Sequence, residues 1–147
     1  MNCIIFDIDG TLADCEHRMH FISGKEKNWK LFYDNCSNDT LISQVSILID
    51  KFKNEYKIIL LTGRPESNLD LTVKWLDKYN IYFDELIMRK NNDFRKSPEF
   101  KKENILNLRS EGYNIFAAFE DRMDCVEMYL NLGVFTFNIP NQKFANV

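Results

Sequence analysis

Apolar residues along this chain follow two rhythms. Short, nearly continuous runs read as buried strands: "NCIIFDI" at Asn2–Ile8, "KIILLTG" at Lys57–Gly63, "FDELIMR" at Phe83–Arg89, "YNIFAAF" at Tyr113–Phe119 and "VFTF" at Val134–Phe137. Between them the spacing shifts to threes and fours. Leu41, Ile42, Val45, Leu48, Ile49 and Phe52 form one helical stripe, with Asp39 or Thr40 as its cap. Leu69, Val73, Trp75, Leu76 and Tyr79 predict a second helix after Pro65. Ser97-Pro98 opens a third, with serine as cap and proline in the first turn, running through Phe100, Ile105 and Leu108 to Gly112. "RMDCVEMYLNLG" is a fourth, stopped at Gly133. Residues 12–38 are mixed and predict a loop or flap with one short helix near Trp29–Asp34.

Buried strands alternating with helices predict an α/β fold, a five-stranded, mainly parallel sheet sandwiched between helical layers. The 147 residues fit one domain spanning 1–147. Hydrophobic content of 45% and charged content of 28% are ordinary for a folded globular chain. No apolar run has the length of a membrane span, and "MNCIIFDIDG" lacks the basic region and cleavage site of a signal peptide, so a cytoplasmic location is expected. Cys3, Cys15, Cys36 and Cys125 contain no CxxC pair and are expected to be reduced. The net charge of −3 excludes nucleic-acid binding through a global positive field, but Arg89–Lys102 holds six basic and two acidic residues, a local excess of positive charge.

In parallel sheets, ligands bind beyond the carboxyl ends of the strands. The residues there are Asp7 and Asp9 after the first strand, Thr62, Gly63 and Arg64 after the second, Arg89 after the third, and Glu120 and Asp121 after the fourth. Carboxylates, a hydroxyl and guanidinium groups gather at one rim, a coincidence that a purely structural sheet has no need of.

These residues resemble the motifs of the haloacid-dehalogenase-like phosphohydrolases, in the same chain order. "DIDGT" is similar to the nucleophile motif, "LLTGR" to the second motif, a lysine near the next helix start to the third, and "FEDR" to the acidic fourth. The resemblance implies that Asp7 attacks phosphorus and forms an aspartyl-phosphate, and that Asp9 serves as acid and then base. Thr62 would hydrogen-bond a phosphoryl oxygen. Mg²⁺ would be held by Asp7, the Asp9 carbonyl and a motif-four carboxylate, Asp121 first and Glu120 second.

Longer stretches resemble one branch, the phosphatase domain of phage polynucleotide kinase. "MRKNNDFRKSPEFKKENI" matches that branch's R-x₃-D-x-R-K-x₄-K segment, which makes Lys101 the motif-three lysine with Lys96 as substitute. Arg89, Asp93, Arg95 and Lys96, with Gly63 and Arg64, become candidate substrate-binding residues. Glu120 departs from the branch's usual aspartate and shifts a carboxylate by one methylene. No GxxxxGK[ST] phosphate loop is present, so kinase activity is not expected. Roughly 50 residues separate Asp9 from Thr62 and roughly 40 separate Thr62 from Lys101, too few for a large cap domain. The implied function is removal of 3′-phosphates from polynucleotide ends, a nucleic acid repair reaction. A small-molecule nucleotidase and a weakly catalytic binding module are the alternatives. "HRMHFISGKEKNWKLFY" offers His17, Arg18 and several aromatics as a flap that stacks on a base; the default is that Phe21, Trp29, Phe32 and Tyr33 pack as core.

Overall fold

The computed structural model describes residues 1–140; the last seven positions of the 1–147 domain expected from the sequence lie outside the described residues. The strands are β1 (Asn2–Phe6), β2 (Ala13–Asp14), β3 (Thr40–Leu41), β4 (Lys57–Pro65), β5 (Glu85–Arg89), β6 (Asn114–Glu120) and β7 (Thr136–Asn138). The α-helices are α1 (Trp29–Asp34), α2 (Ser43–Phe52), α3 (Leu69–Lys78), α4 (Ser97–Ser110) and α5 (Met123–Asn131).

Five strands form the main sheet in the order β5-β4-β1-β6-β7. Its four pairings are all parallel, as their long helical crossovers require. Strand alternation splits the core in two. Ile4, Phe6, Ile58 and Leu60 face Val45 and Ile49 of α2 and Trp75 and Leu76 of α3. Cys3, Ile5, Ile59 and Leu61 face Phe100, Ile105 and Leu108 of α4 and Met128 and Tyr129 of α5. Both faces are covered, so the strands read as continuous apolar runs. The chain winds outward from β1 through β4 to β5, then crosses back to β6 and β7. The winding direction reverses at β1, the place where such sheets open a crevice at their carboxyl edge.

Two helix starts differ from the sequence expectation. α2 begins at Ser43, with Ile42 in the capping position and no side-chain cap bond. Thr40 and Leu41 instead pair antiparallel with Asp14 and Ala13, and Asp39 turns inward and is buried. At α4 the capping position is Lys96 and no side-chain cap bond forms, because the Ser97 hydroxyl accepts a bond from Arg89 instead.

The β2–β3 ribbon closes the stem of an excursion, residues 15–39, that arches over the carboxyl edge of the sheet. It carries 3₁₀ turns at Glu16–Phe21 and Cys36–Asn38 with α1 between them, and no large cap is present among the described residues. The packing default holds only in part: Phe32 is buried and Phe21 and Tyr33 are half-buried, but Trp29 is exposed. All four cysteines are free and buried. No helix among the described residues is long and apolar enough to cross a membrane.

Candidate active site

Asp7 is the first residue beyond β1, where its N–H donates to the Phe119 carbonyl of β6 at 3.0 Å. One Asp7 oxygen accepts from Lys101 Nζ at 2.8 Å, and the other accepts from Thr11 Oγ1 at 3.2 Å. Lys101 reaches in from α4 and also donates to Glu120 at 2.6 Å. Glu120 ends β6, and its second oxygen accepts the Asp121 and Arg122 N–H groups at 3.2 Å each. Asp7, Glu120 and Asp121 each offer a carboxylate oxygen, all within 4.8 Å of one another. Gly10 makes the approach of Asp121 possible. Its φ is +84°, and a Cβ there would meet an Asp121 oxygen at 2.1 Å.

Three carboxylates share one ammonium in this cluster. Burial and the charge of Glu120 raise the Asp7 carboxyl, against the pull of Lys101. Burial and Asp7 raise Asp121. Burial opposes the Lys101 charge, and Asp7 and Glu120 more than reverse that effect. A cluster of hard oxygen donors with excess negative charge fits a small divalent cation held by Asp7, Asp121 and Glu120. Glu120 is already engaged by Lys101 and two backbone N–H groups, which leaves Asp121 the freer donor.

Asp9 sits in a second cluster with the opposite balance. Arg18 Nη2 donates to Asp9 Oδ1 at 2.5 Å, and Arg64 donates to the same oxygen from Nη2 at 2.7 Å and from Nε at 3.1 Å. Asp39 braces both arginines from behind, accepting from Arg18 Nη2 at 2.6 Å and from Arg64 Nη2 at 3.3 Å. His17 Nε2 lies 2.7 Å from the other Asp39 oxygen, and Trp75 Nε1 donates to the Asp39 carbonyl at 2.9 Å. Burial alone would raise Asp9, but Arg64 and Arg18 overturn it and hold the carboxyl down to about 2.

The structure therefore gathers Asp7, Asp9, Lys101, Glu120 and Asp121, and places Gly63 and Ser97 in the same crevice. Thr62 is buried within β4, which runs on to Pro65, and its hydroxyl accepts the Arg64 N–H at 3.2 Å. Arg64, expected among the substrate contacts, is fully buried behind Asp9 and also donates to Thr72. Arg89 is engaged as a brace: it donates to the carbonyls of Gly63, Asp93 and Arg95 and lies over the Phe100 ring. Asp93 and Arg95 pair with each other in an exposed loop, Arg95 also reaching Glu103, and Lys96 is exposed away from the carboxylates. Arg18, expected in a base-stacking flap, is instead fully buried between Asp9 and Asp39, and Asp39, expected as a helix cap, braces it; neither was expected to hold Asp9.

The model of the polynucleotide kinase PNKP phosphatase domain matches residues 1–144. The chain belongs to that family. It is a phosphatase of the haloacid-dehalogenase fold. A chain of the Pnkp1/Rnl/Hen1 complex is 30% identical, with a TM-score of 0.81 over 95% of this chain. This chain spans 45% of that one's length. A hydrolase from Streptococcus pneumoniae is 18% identical, with a TM-score of 0.64 over 99% of this chain and 98% of that one. CbbY from Rhodobacter sphaeroides, in complex with phosphate, is 15% identical with a TM-score of 0.64, over 94% and 85% of the two chains. The last two likenesses are of fold. In this PNKP-type phosphatase, Asp7 of the DxDGT motif is the carboxylate that both Lys101 and the crevice share.

Proposed function

We propose that the chain is a Mg²⁺-dependent 3′-phosphatase of polynucleotide ends, acting through an aspartyl-phosphate on Asp7. The observation that carries this reading is Asp7 itself, aligned by Lys101 and Thr11 in a crevice it shares with Asp9 and Asp121. In the first step an Asp7 oxygen bonds to phosphorus as the P–O ester bond breaks, and Asp9 delivers a proton to the departing 3′ oxygen. Asp9 is ionised in the free site; the negative charge of an arriving phosphate raises its proton affinity, and the proton it delivers is taken up from solvent as the substrate binds. In the second step Asp9 takes a proton from water, the water oxygen bonds to phosphorus, and the P–O bond to Asp7 breaks. Lys101 offsets the joint charge of Asp7 and the phosphoryl group throughout. Asp7, Asp121 and Glu120 would hold Mg²⁺, which would supply further neutralisation of the phosphoryl oxygens.

The family supports a polynucleotide substrate, and the relative in the Pnkp1/Rnl/Hen1 RNA repair complex supports an RNA end among them. The absence of a large cap among the described residues suits a long substrate, because only the end need enter the crevice. The test is phosphate release from 3′-phosphorylated oligonucleotides, 5′-phosphorylated oligonucleotides and mononucleotides, each with Mg²⁺ and with chelator. Preference for the 3′-phosphorylated oligonucleotide, lost in chelator, is the expected result. Release from mononucleotides alone would assign a nucleotidase, and none from any substrate would assign a binding module.

A further inference from the structure

The crevice has a volume of about 130 Å³. Whole-ligand pockets run from about 300 to 1,000 Å³. This one takes the end of its substrate and leaves the rest lying across the rim. The rim on the side of the excursion is built from Met19, Trp29, Phe32 and Tyr33. Trp29 is 42% exposed there. Its ring is held by Tyr33, stacked at 5.9 Å, and by Phe32, edge-on at 5.8 Å. Tyr33 in turn donates from its hydroxyl to the Gly63 carbonyl at 3.3 Å, tying this aromatic group to the rim of β4 beside Thr62. Trp29 is thus a large apolar ring fixed by its neighbours, yet left open to solvent at the mouth of a phosphate-sized crevice. Lys27 Nζ stands 6.0 Å over the same ring, with Lys25 and Glu26 before it in sequence and Lys30 after Trp29, paired with Asp34. Aromatic faces interleaved with cations are the recipe for holding single-stranded nucleic acid.

We infer that Trp29 is the stacking platform for the nucleobase next to the 3′-phosphate, and so a specificity-determining residue. The inference rests on the polynucleotide reading above and adds where the base goes. Every base offers a π-face, so the platform selects for a base without selecting which one. The segment that crosses the site would recognise the nucleotide while the sheet edge handles the phosphate.

The test compares a 3′-phosphorylated oligonucleotide carrying a normal terminal base with one whose terminal residue is abasic. The wild-type protein is expected to favour the normal end by about 5- to 150-fold in kcat/KM. Trp29→Ala should bring that ratio close to one, and Trp29→Phe should retain part of it. Quenching of Trp29 emission, read as the difference between wild type and Trp29→Phe, should likewise require the terminal base. A ratio of one in the wild type, or a ratio unchanged by Trp29→Ala, overturns the platform. An oligonucleotide that is hydrolysed with no base dependence does so while leaving the 3′-phosphatase reading intact. One that quenches Trp29 through its base without being hydrolysed supports the platform and defeats that reading instead.

Discussion

The two aspartates of the DxDGT motif lie two residues apart, yet they belong to clusters of opposite electrical character. Asp7 shares one lysine with Glu120, and Asp121 stands beside both without a cation of its own among the described residues. Asp9 and Asp39 share two arginines, with His17 alongside. The first cluster is short of positive charge, and burial raises the carboxyls at its heart. The second is balanced, and Asp9 stays ionised at about 2 although burial works against it. A buried cluster that balances internally is finished when the chain folds. One left with surplus negative charge suits a cation, whose charge would then admit a negatively charged phosphoryl group.

Replacing Asp7, the proposed nucleophile, should have the largest effect. Asp7→Asn is expected to lower phosphate release by about 10⁴-fold or more while leaving a folded protein. Turnover near wild type in a variant with native circular dichroism would remove Asp7 from the chemistry.

Breaking the balanced cluster should fall mainly on stability. Arg18→Ala leaves Asp9 and Asp39 short of a buried partner, which is expected to cost about 3–5 kcal/mol in urea unfolding. The pH sign follows from Asp9. Its folded pKa lies below the ordinary value near 4, so its contribution is complete above about pH 4 and fades as pH falls towards 2. Arg18→Ala should flatten that acid limb, and an unchanged limb would deny the clamp its energetic role.

The legibility of the sequence follows the same division. Asp7, Lys101, Glu120 and Asp121 stand just past strand ends or near a helix start, and apolar runs mark those places directly. The strands and helices of the main sheet were readable for the same reason. Arg18 and Asp39 lie in the excursion, whose course depends on a two-residue ribbon that leaves no periodic trace. In sequence Arg18 stands in a candidate base-stacking flap, and Asp39 before an apolar stripe suggests a helix cap. Only the arch of the chain over the sheet shows that both are buried around Asp9. Arg64 and Arg89 were visible as cations near the rim, but whether such a residue faces substrate or braces its own backbone is decided by packing.

Completing the surplus cluster should have a middling effect. Mg²⁺ at 100 times its Kd should raise the unfolding free energy by about 2.7 kcal/mol. Asp121→Asn should cancel much of that gain. In chelator near neutral pH the same variant should melt close to the wild type, because burial and Asp7 push the Asp121 carboxyl up to about 10 and it already carries a proton there. A variant that melts several degrees higher in chelator would show that Asp121 is ionised without a cation.

The smallest effect is expected at the edge of the molecule. Arg95 is exposed and, among the described residues, pairs within its own loop and with Glu103 on α4. If it meets a substrate phosphate, Arg95→Ala should reduce the slope of log kcat/KM against log salt by about 1 for oligonucleotides. An unchanged slope would leave Arg89–Lys102 as a solvated face.

Asp14 and Thr40 are paired neighbours across the ribbon, so the excursion leaves the sheet edge and returns to it at almost the same place. Such a stem makes the segment a cassette, exchangeable in length and content with little disturbance to the five strands below. Yet the cassette holds Arg18 and ends on Asp39, both of which fix Asp9. A graft that changes what crosses the site therefore also changes how Asp9, the proposed acid and base, is held. In this architecture a new recognition surface and a retuned Asp9 travel together, and a transplanted cassette must carry its own arginine and aspartate to keep that carboxylate clamped.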